Sequence, residues 1–226
     1  MHRWDFGPVW ANADLLLLGL WHTLQVTGTA LAFGIPLGLV LALSRLSPRR
    51  VLRWPAGLVI EVFRTTPPLV QLFWFFFALP ILTGIEMTPF AAAVLTFSIQ
   101  SAAFFAEAFR GGIVSVERGQ WEAARALGMN PRQVMRRVVL PQAVKRMLPA
   151  FLERAIELMK TTTLVATISY ADLLFQANEV AQKTFRPLEV FTVAALMYFV
   201  VIYGASLVCQ AAERRLSASG EGMRRT

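Results

Sequence analysis

The chain has 226 residues, of which 56% are hydrophobic and only 16% are charged, and its formal net charge is +8. Soluble domains carry about a quarter charged residues, so this composition, with a mean hydropathy of +0.53, indicates an integral membrane protein. A basic balance can indicate nucleic-acid binding, but here Lys and Arg lie between apolar runs and form no domain of their own. No nucleic-acid partner is therefore expected.

Four apolar runs have about the 20 residues that a transmembrane helix needs, and they cover residues 15–43, 67–85, 89–106 and 190–212. The first run is too long for a signal-peptide core and lacks a clear cleavage site, so we expect an uncleaved span. Residues 51–66 mix charged and apolar side chains, which indicates an amphipathic helix at the inner membrane surface. Pro67 and Pro68 are expected to break or restart the helix after it.

Basic residues indicate a fifth span that hydropathy alone does not show. Sixteen of the 22 basic residues lie after the first span, in the loop at about 110–146, or in the C-terminal tail. The positive-inside rule places all three segments in the cytoplasm, which requires one more span, at about 148–175. The sequence thus predicts an all-α integral membrane fold, a single domain over 1–226 with five spans, the N-terminus outside and the C-terminus cytoplasmic.

The loop at 110–146 is predicted to hold two short helices. Ala123, Ala124 and Leu127 would form one apolar face of the first helix, and Gly128 suits the left-handed residue that ends it. On this spacing alone, a compact docking element and an ordinary helical loop are equally good interpretations.

The second short helix has its own start and stop signals. Asn130 and Pro131 suit its N-cap and first position, and Pro141 is expected to end or kink it. The apolar residues expected to be buried on this helix are Val134, Val138 and Leu140.

The same loop contains a spaced motif. Glu122-Ala123-Ala124, Gly128 and Val138-Val139-Leu140-Pro141 match EAA-x3-G-x9-I-x-LP, with valine in place of isoleucine. Two further strings, RTTPPLVQL at 64–72 and AEAFRGG at 106–112, occur in the same chain. With these motifs the chain resembles the permeases of type I ABC importers, in particular the polar amino-acid subfamily, from about residue 19 to residue 216.

The resemblance implies that the loop is a coupling helix held in a cleft of a separate ATPase. The residues expected to dock are Gln120, Glu122, Ala123, Ala124, Leu127, Gly128 and Pro141. The chain has no G-x-x-x-x-G-K-[ST] phosphate loop and only two histidines, so no catalytic residue, metal or cofactor is expected in it. ATP and Mg²⁺ are expected on the partner.

The implied assembly lies in a bacterial inner membrane. It contains a dimer of ABC ATPases, a second permease that is the same or a sister chain, a substrate-binding protein, and membrane lipid around it. In such an assembly the spans tilt as bodies to give alternating access.

Polar groups inside spans are costly in lipid and are therefore candidates for contact with the substrate. The candidates are Gln71, Gln100, Ser101, Glu107, Glu153, Glu157 and Thr161. The alternative is structural: interhelical hydrogen bonds, a Glu157–Lys160 salt bridge, and an Arg154 that reaches the inner surface. The resembled family usually has Asn, Gln and Ser where Glu153, Arg154 and Glu157 stand, and Asp at position 161, so this chain departs there.

The leading hypothesis is a permease subunit that moves a polar amino acid, or a derivative such as an opine, into the cytoplasm. The acids of the fourth span favour a cationic substrate. A secondary amino-acid transporter without an ATPase is the alternative, against which stand the small number of spans and the lack of an inverted repeat. A membrane scaffold is a third possibility, and it would not need the EAA spacing.

Overall fold

The structure is a computed structural model that describes residues 3–221, with side chains to residue 211, and this part of the chain is helical without strands. The α-helices are α1 Gly7–Trp10, α2 Ala13–Leu46, α3 Arg50–Thr65, α4 Pro68–Phe73, α5 Leu79–Thr83, α6 Pro89–Val114, α7 Arg118–Ala126, α8 Pro131–Gln133, α9 Leu140–Thr161, α10 Leu173–Thr184 and α11 Pro187–Glu221. Two π-helical segments, Trp74–Ala78 and Val134–Val139, and one 3₁₀ segment, Thr162–Ile168, join some of them.

Three helices, α2, α6 and α11, are each long and apolar enough to cross a membrane. They contain the predicted spans 15–43, 89–106 and 190–212, and each helix extends beyond its predicted bounds. The most buried is α6, which lies at the centre of the bundle, whereas most of the α11 surface is exposed. Because the exposed side chains on these helices are mainly large and apolar, lipid is their natural solvent.

Small residues bring α2 and α6 into close contact. A β-carbon added at Gly34 would lie 3.0 Å from Cβ of Ser101, and one added at Gly38 would lie 2.7 Å from Cβ of Phe105 and 2.9 Å from the carbonyl oxygen of Ala102. In lipid, helices associate through such tight packing because hydrocarbon gives no hydrophobic driving force.

The chain turns sharply at Thr66 and Pro67. The α3 helix and the helical stretch from Pro68 to Thr83 meet at a bend of 109°, and only together are they long and apolar enough for a span. The break that Pro67 and Pro68 predict is therefore confirmed. The helical part of the predicted span 67–85 stops at Thr83, since Gly84 is left-handed with φ of 71°.

Each π-helical segment ends two residues before a proline. Trp74–Ala78 precedes Pro80, and Val134–Val139 precedes Pro141. A proline lacks the N–H of an α-helical bond and its ring clashes with the carbonyl four residues back, and a wider π-turn accommodates both effects. Pro141 therefore does not end the second loop helix, since the helical path continues through it from Pro131 to Ile168, and the kink expected as the other outcome stays a prediction.

The predicted fourth span, 148–175, does not coincide with one helix. The α9 helix begins earlier, at Leu140, and the helical path ends at Ile168, where Ser169 adopts a left-handed φ of 58°. The α10 helix then starts afresh because the Asp172 carboxylate accepts a hydrogen bond from the N–H of Phe175 at 2.9 Å. An N-cap of this type satisfies a backbone donor that a continuous helix would have satisfied itself.

Candidate functional site

The loop element consists of two short helices that meet at a glycine. The α7 helix ends before Gly128, whose φ is +77°, and the N–H of Met129 returns to the carbonyl of Ala124 at 3.2 Å. A left-handed residue costs L-amino acids roughly 1–2 kcal/mol, so glycine suits this turn. Asn130 and Gln133 then form a capping box at the start of α8, which confirms the predicted helix start.

One alanine anchors α7 to the rest of the protein. Ala124 is buried in a cluster with Val116, Val134, Val139 and Ala143. The amide of Gln142 also donates a hydrogen bond to the side-chain oxygen of Gln120 at 3.3 Å. These contacts hold the element against the first part of α9 and the π-helical segment before it.

The apolar face predicted for α7 is not buried as a unit. Ala124 is buried, but Ala123 is exposed and Leu127 is 81% exposed. On the second helix Val134 is buried as predicted, whereas Leu140 is exposed and Val139 takes the buried position. The added turn width of the π-helical segment shifts the α-helical register by one residue there.

The structure exposes six of the seven predicted docking residues, at three places, and buries the seventh, Ala124. Gln120, Ala123, Leu127 and Gly128 are exposed around the tip of α7. Glu122 instead lines a groove of about 410 Å³ with Arg118, Arg125, Trp121 and the ends of α2 and α6. Pro141 is exposed near the start of α9, the part of α9 against which α7 is held.

A buried arginine forms the centre of the polar contacts inside the helix bundle. The Arg154 side chain on α9 is 7% exposed and forms an ion pair of 2.8 Å with Glu157. It donates a hydrogen bond of 3.2 Å to the Gln100 side-chain oxygen on α6, and its guanidinium carbon lies 3.8 Å from the centre of the Phe104 ring. Among the described residues its Nε has no hydrogen-bond partner.

Arg154 and Glu157 correct the structural alternative drawn from the sequence. Glu157 pairs with Arg154 and not with Lys160, and Arg154 does not reach the inner surface but points into the bundle. The reason is that Gln100 and Phe104, four residues apart on one face of α6, offer an acceptor and a ring face. An arginine that is buried needs both a partner for its charge and acceptors for its donors.

Two of the predicted substrate residues have structural roles. The Gln71 amide donates to the carbonyls of Phe63 and Thr66 at 3.1 and 2.9 Å, so it satisfies the carbonyls left open at the end of α3. Ser101 is fully buried against Gly34 at the contact of α2 with α6. Neither side chain lies at an exposed surface.

The remaining candidates lie at different depths. Glu107 forms a bidentate pair with Arg110 on its own helix, with a shortest distance of 2.6 Å. Glu153 is exposed, the side chain of Glu157 is 58% exposed, and Thr161 is partly buried and donates to the Glu157 carbonyl at 2.9 Å. The structure thus brings Gln100 and Glu157 together through Arg154, whereas the contacts of Gln71, Ser101 and Glu107 are with other groups.

Arg154, Phe104 and Arg64 also belong to this cluster, although the sequence did not indicate them as functional candidates. Arg64, at the end of α3, also lies near the Phe104 ring, with 5.6 Å between its guanidinium carbon and the ring centre. The signal available was the spacing of Gln100, Phe104 and Glu107, which repeats every three or four residues. No group of three or more His, Cys, Asp or Glu side chains that could hold a metal occurs in the described part of the chain.

Comparison with protein families gives one decisive match. Residues 34–218 match the family described as "binding-protein-dependent transport system inner membrane component". The chain belongs to this family. The permease is also 35% identical over 215 residues to the arginine transport system permease protein ArtQ of Bacillus subtilis, with 95% of this chain and 98% of the relative covered.

Two further comparisons agree with this membership. The glutamate/aspartate import permease protein GltK of Escherichia coli O6:H1 is 35% identical over 222 residues, which cover 95% of the permease and 99% of GltK. A solved chain of an amino acid ABC transporter with histidines superposes with a TM-score of 0.90 at 36% identity, covering 95% of the permease and all of that chain. The secondary-transporter alternative is not supported, since these matches are to permeases of ABC systems.

Proposed function

We propose that the permease is the membrane-spanning subunit of an ATP-driven importer that moves a polar amino acid, or an amino-acid derivative, into the cytoplasm by alternating access. The observation that carries this proposal is the helix–glycine–helix element. Its EAA spacing puts Ala124 in the anchoring cluster and leaves Leu127 and Ala123 exposed at a tip beyond the spans. Small and apolar exposed residues on a short rigid helix suit insertion into a cleft of a partner protein.

The partner that suits this tip is an ABC ATPase dimer. ATP and Mg²⁺ would bind there, because the permease has no phosphate-binding loop. A substrate-binding protein would deliver the amino acid on the other side. The helix–glycine–helix element, from Arg118 to Val139, is called the coupling element below. The arrangement requires this element and the C-terminus to be cytoplasmic, and the N-terminus to lie outside a bacterial inner membrane.

The exposed side of α9 supports the presence of a second permease subunit, which is the same chain or a sister chain. Glu153, Glu157 and Lys160 form an exposed stripe in the described chain, within the segment that we assign to the fourth span. Charged side chains at that depth are costly in hydrocarbon and normally face a partner or a water-filled path. A second copy across this stripe would enclose such a path.

The Arg154–Glu157 pair favours recognition of the amino-acid head group. Glu157 is exposed but already matched by the charge of the buried Arg154, so this carboxylate does not by itself specify a cationic side chain. The relatives ArtQ and GltK are named for substrates of opposite side-chain charge, arginine and glutamate or aspartate, which share only the zwitterionic head. The ammonium of the head group would bind at the exposed Glu157 carboxylate, which the buried Arg154 holds in place.

Co-purification with the ATPase tests the coupling assignment. Leu127→Asp should release the ATPase. It removes a leucine that would be buried in the ATPase cleft, a contribution to binding of roughly 1.5–3 kcal/mol, and places a charge there instead. The expected loss of affinity is at least about tenfold. Gly128→Asp should act in the same direction by straining the turn.

Leu127→Met is the matched control, since it keeps volume and polarity, and it should retain the ATPase. All variants should elute from size exclusion as the unaltered permease does. Wild-type retention of the ATPase by both Leu127→Asp and Gly128→Asp would contradict the assignment of this tip as the docking surface.

A further inference from the structure

The α3 helix runs nearly perpendicular to the helical stretch from Pro68 to Thr83, which we assign to the second span. The two meet at a bend of 109°, and α3 is joined to α2 by only three residues, Ser47 to Arg49. If the segment from Pro68 crosses the bilayer, α3 must lie close to the plane of the membrane surface. The α3 helix follows the C-terminal end of α2, where Arg45, Arg49, Arg50 and Arg53 lie. In the proposed orientation this end of α2 is cytoplasmic, so α3 lies at the cytoplasmic leaflet.

One side of α3 packs on the bundle and the opposite side is apolar and uncovered. Ile60 is buried with Ala42 of α2 and Ala106 of α6. Val51, Trp54, Leu58 and Val62, spaced by three or four residues, form an apolar stripe whose exposure runs from 47% at Val62 to 83% at Val51. Such a stripe on a helix parallel to the surface suits insertion among acyl chains, and tryptophan is favoured at that depth.

A basic stripe adjoins the apolar stripe at the same end. Arg49, Arg50 and Arg53 are exposed, and no ion pair involves them in the described part of the chain. Arg50 and Arg53 lie one turn apart, beside the apolar residues Val51 and Trp54. The exposed charge at this end of α3 is therefore positive and adjoins the surface that would enter hydrocarbon.

A fourth arginine is fixed in the same region by packing. The Arg45 guanidinium lies directly against Gly57, where any β-carbon would collide with it, and it approaches the carbonyl of Arg53 at 3.5 Å. Glycine at position 57 thus leaves room for a guanidinium across the α3 surface. Four exposed arginines, Arg45, Arg49, Arg50 and Arg53, therefore lie where α2 ends and α3 begins, and this group is called the arginine cluster below.

We propose that the arginine cluster and the adjoining apolar stripe bind an anionic phospholipid of the cytoplasmic leaflet. The arginines are complementary in charge to the headgroup phosphate. The apolar stripe beside them would contact acyl chains, which a free anion and a soluble protein do not have. Arginine binds phosphate through paired N–H donors. The proposal rests on the proposed orientation of the permease but not on its substrate.

Fluorescence quenching of Trp54 tests this proposal. The permease, with any subunits that co-purify, is placed in nanodiscs that contain brominated phosphatidylglycerol or the same fraction of brominated phosphatidylcholine. Trp54→Phe gives the share of the quenching that belongs to Trp54. We expect stronger quenching of Trp54 by the anionic lipid, and added salt should reduce the difference because it screens the charges.

The test variant is the triple substitution Arg49→Gln, Arg50→Gln and Arg53→Gln. Each arginine near an anionic surface contributes about fivefold in affinity, so the preference for phosphatidylglycerol should fall by well over tenfold. The matched control removes three exposed arginines from the coupling element, Arg132→Gln, Arg136→Gln and Arg137→Gln, and should keep the preference.

Four results would overturn the proposal. Three are equal quenching by the two lipids, a preference that survives the triple substitution, and loss of the ATPase from the α3 variant, which would make this surface a protein contact. The fourth is a preference that inorganic phosphate removes but sodium chloride at the same ionic strength does not, which would indicate a free-anion site. If the triple variant does not assemble, Arg53→Gln alone should lower the preference about fivefold.

Discussion

At the scale of single residues, Arg154 shows how a charged side chain is kept inside a helix bundle. Its positive charge meets Glu157, one of its donors meets Gln100, and its flat face meets Phe104. Each contact compensates part of the free energy lost when the guanidinium leaves water. The Glu157 carboxylate remains over half exposed, so the cluster opens onto the surface where a second subunit or substrate would lie.

Replacing Arg154 should lower both stability and transport. In Arg154→Met, the Gln100 acceptor loses its charged donor and the Phe104 ring loses its cation, which should reduce the free energy of unfolding by roughly 1–3 kcal/mol. Amino-acid uptake should fall as well, because Glu157 loses the partner that fixes its position. Thermal unfolding in detergent and uptake into reconstituted vesicles measure the two effects.

Lys160→Met serves as the control for Arg154→Met. Lys160 is exposed on the same helix, and removal of an exposed charge normally changes stability by no more than about 0.5 kcal/mol. Unchanged unfolding in Arg154→Met would show that the cluster contributes nothing to the packing of α6 against α9.

At the scale of helices, prolines and glycines decide where the chain bends and where it packs closely. Pro80 and Pro141 are each preceded by a π-helical segment that keeps the helix continuous. Gly34 and Gly38 let α2 approach the α6 backbone to distances at which no side chain fits. The π-helical segment before Pro141 thus joins the coupling element to α9 in one helical path, and the two glycines set the distance between α2 and α6.

Gly38→Leu should separate α2 from α6. Its β-carbon alone would lie 2.7 Å from Cβ of Phe105 and 2.9 Å from the Ala102 carbonyl oxygen, and the helix backbones must move to relieve the contact. Such overpacking costs about 1–3 kcal/mol or more. The fraction of protein that stays monodisperse on size exclusion after heating should fall clearly.

Gly28→Leu is the counterpart of Gly38→Leu on the same helix. No heavy atom lies within 4 Å of a β-carbon at position 28, so the added leucine should be tolerated. Equal heat resistance of the two variants would mean that α2 and α6 do not pack as closely as the structure shows.

At the scale of the whole molecule, the path from Leu140 to Ile168 can supply the crossing that charge parity requires. With 22 α-helical residues and seven 3₁₀ residues, it is roughly 45 Å long, which exceeds the hydrocarbon thickness of about 30 Å. It is too charged to be recognised by hydropathy, and its burial against α6 explains how it tolerates Arg154. The five-span count therefore remains a prediction with a physical basis.

Reporter fusions test this topology directly. An alkaline phosphatase domain, which is active only outside the cytoplasm, should be active when joined after Thr184 and inactive when joined after Gly128. A fusion after Met87 should be active and provides the reference for an external loop. Activity after Gly128 would contradict the cytoplasmic position of the coupling element and with it the proposed coupling to an ATPase.

The sequence by itself determined the features that depend on local chemistry. Apolar length located α2, α6 and α11, the two prolines located the break after α3, and Gly128 with Asn130 located the turn and the second helix start. These signals act within a few residues, through backbone sterics, capping and hydropathy, and need no knowledge of neighbours in space.

Only the tertiary structure decided which polar groups meet. Whether Glu157 pairs with Lys160 or Arg154 depends on the acceptor and ring that α6 places beside α9, and whether Gln71 faces a substrate or caps α3 depends on the bend at Pro67. The physical reason is that a side chain in a membrane bundle takes its partner from another helix, and helix packing sets that neighbour at a distance along the chain that no local pattern records.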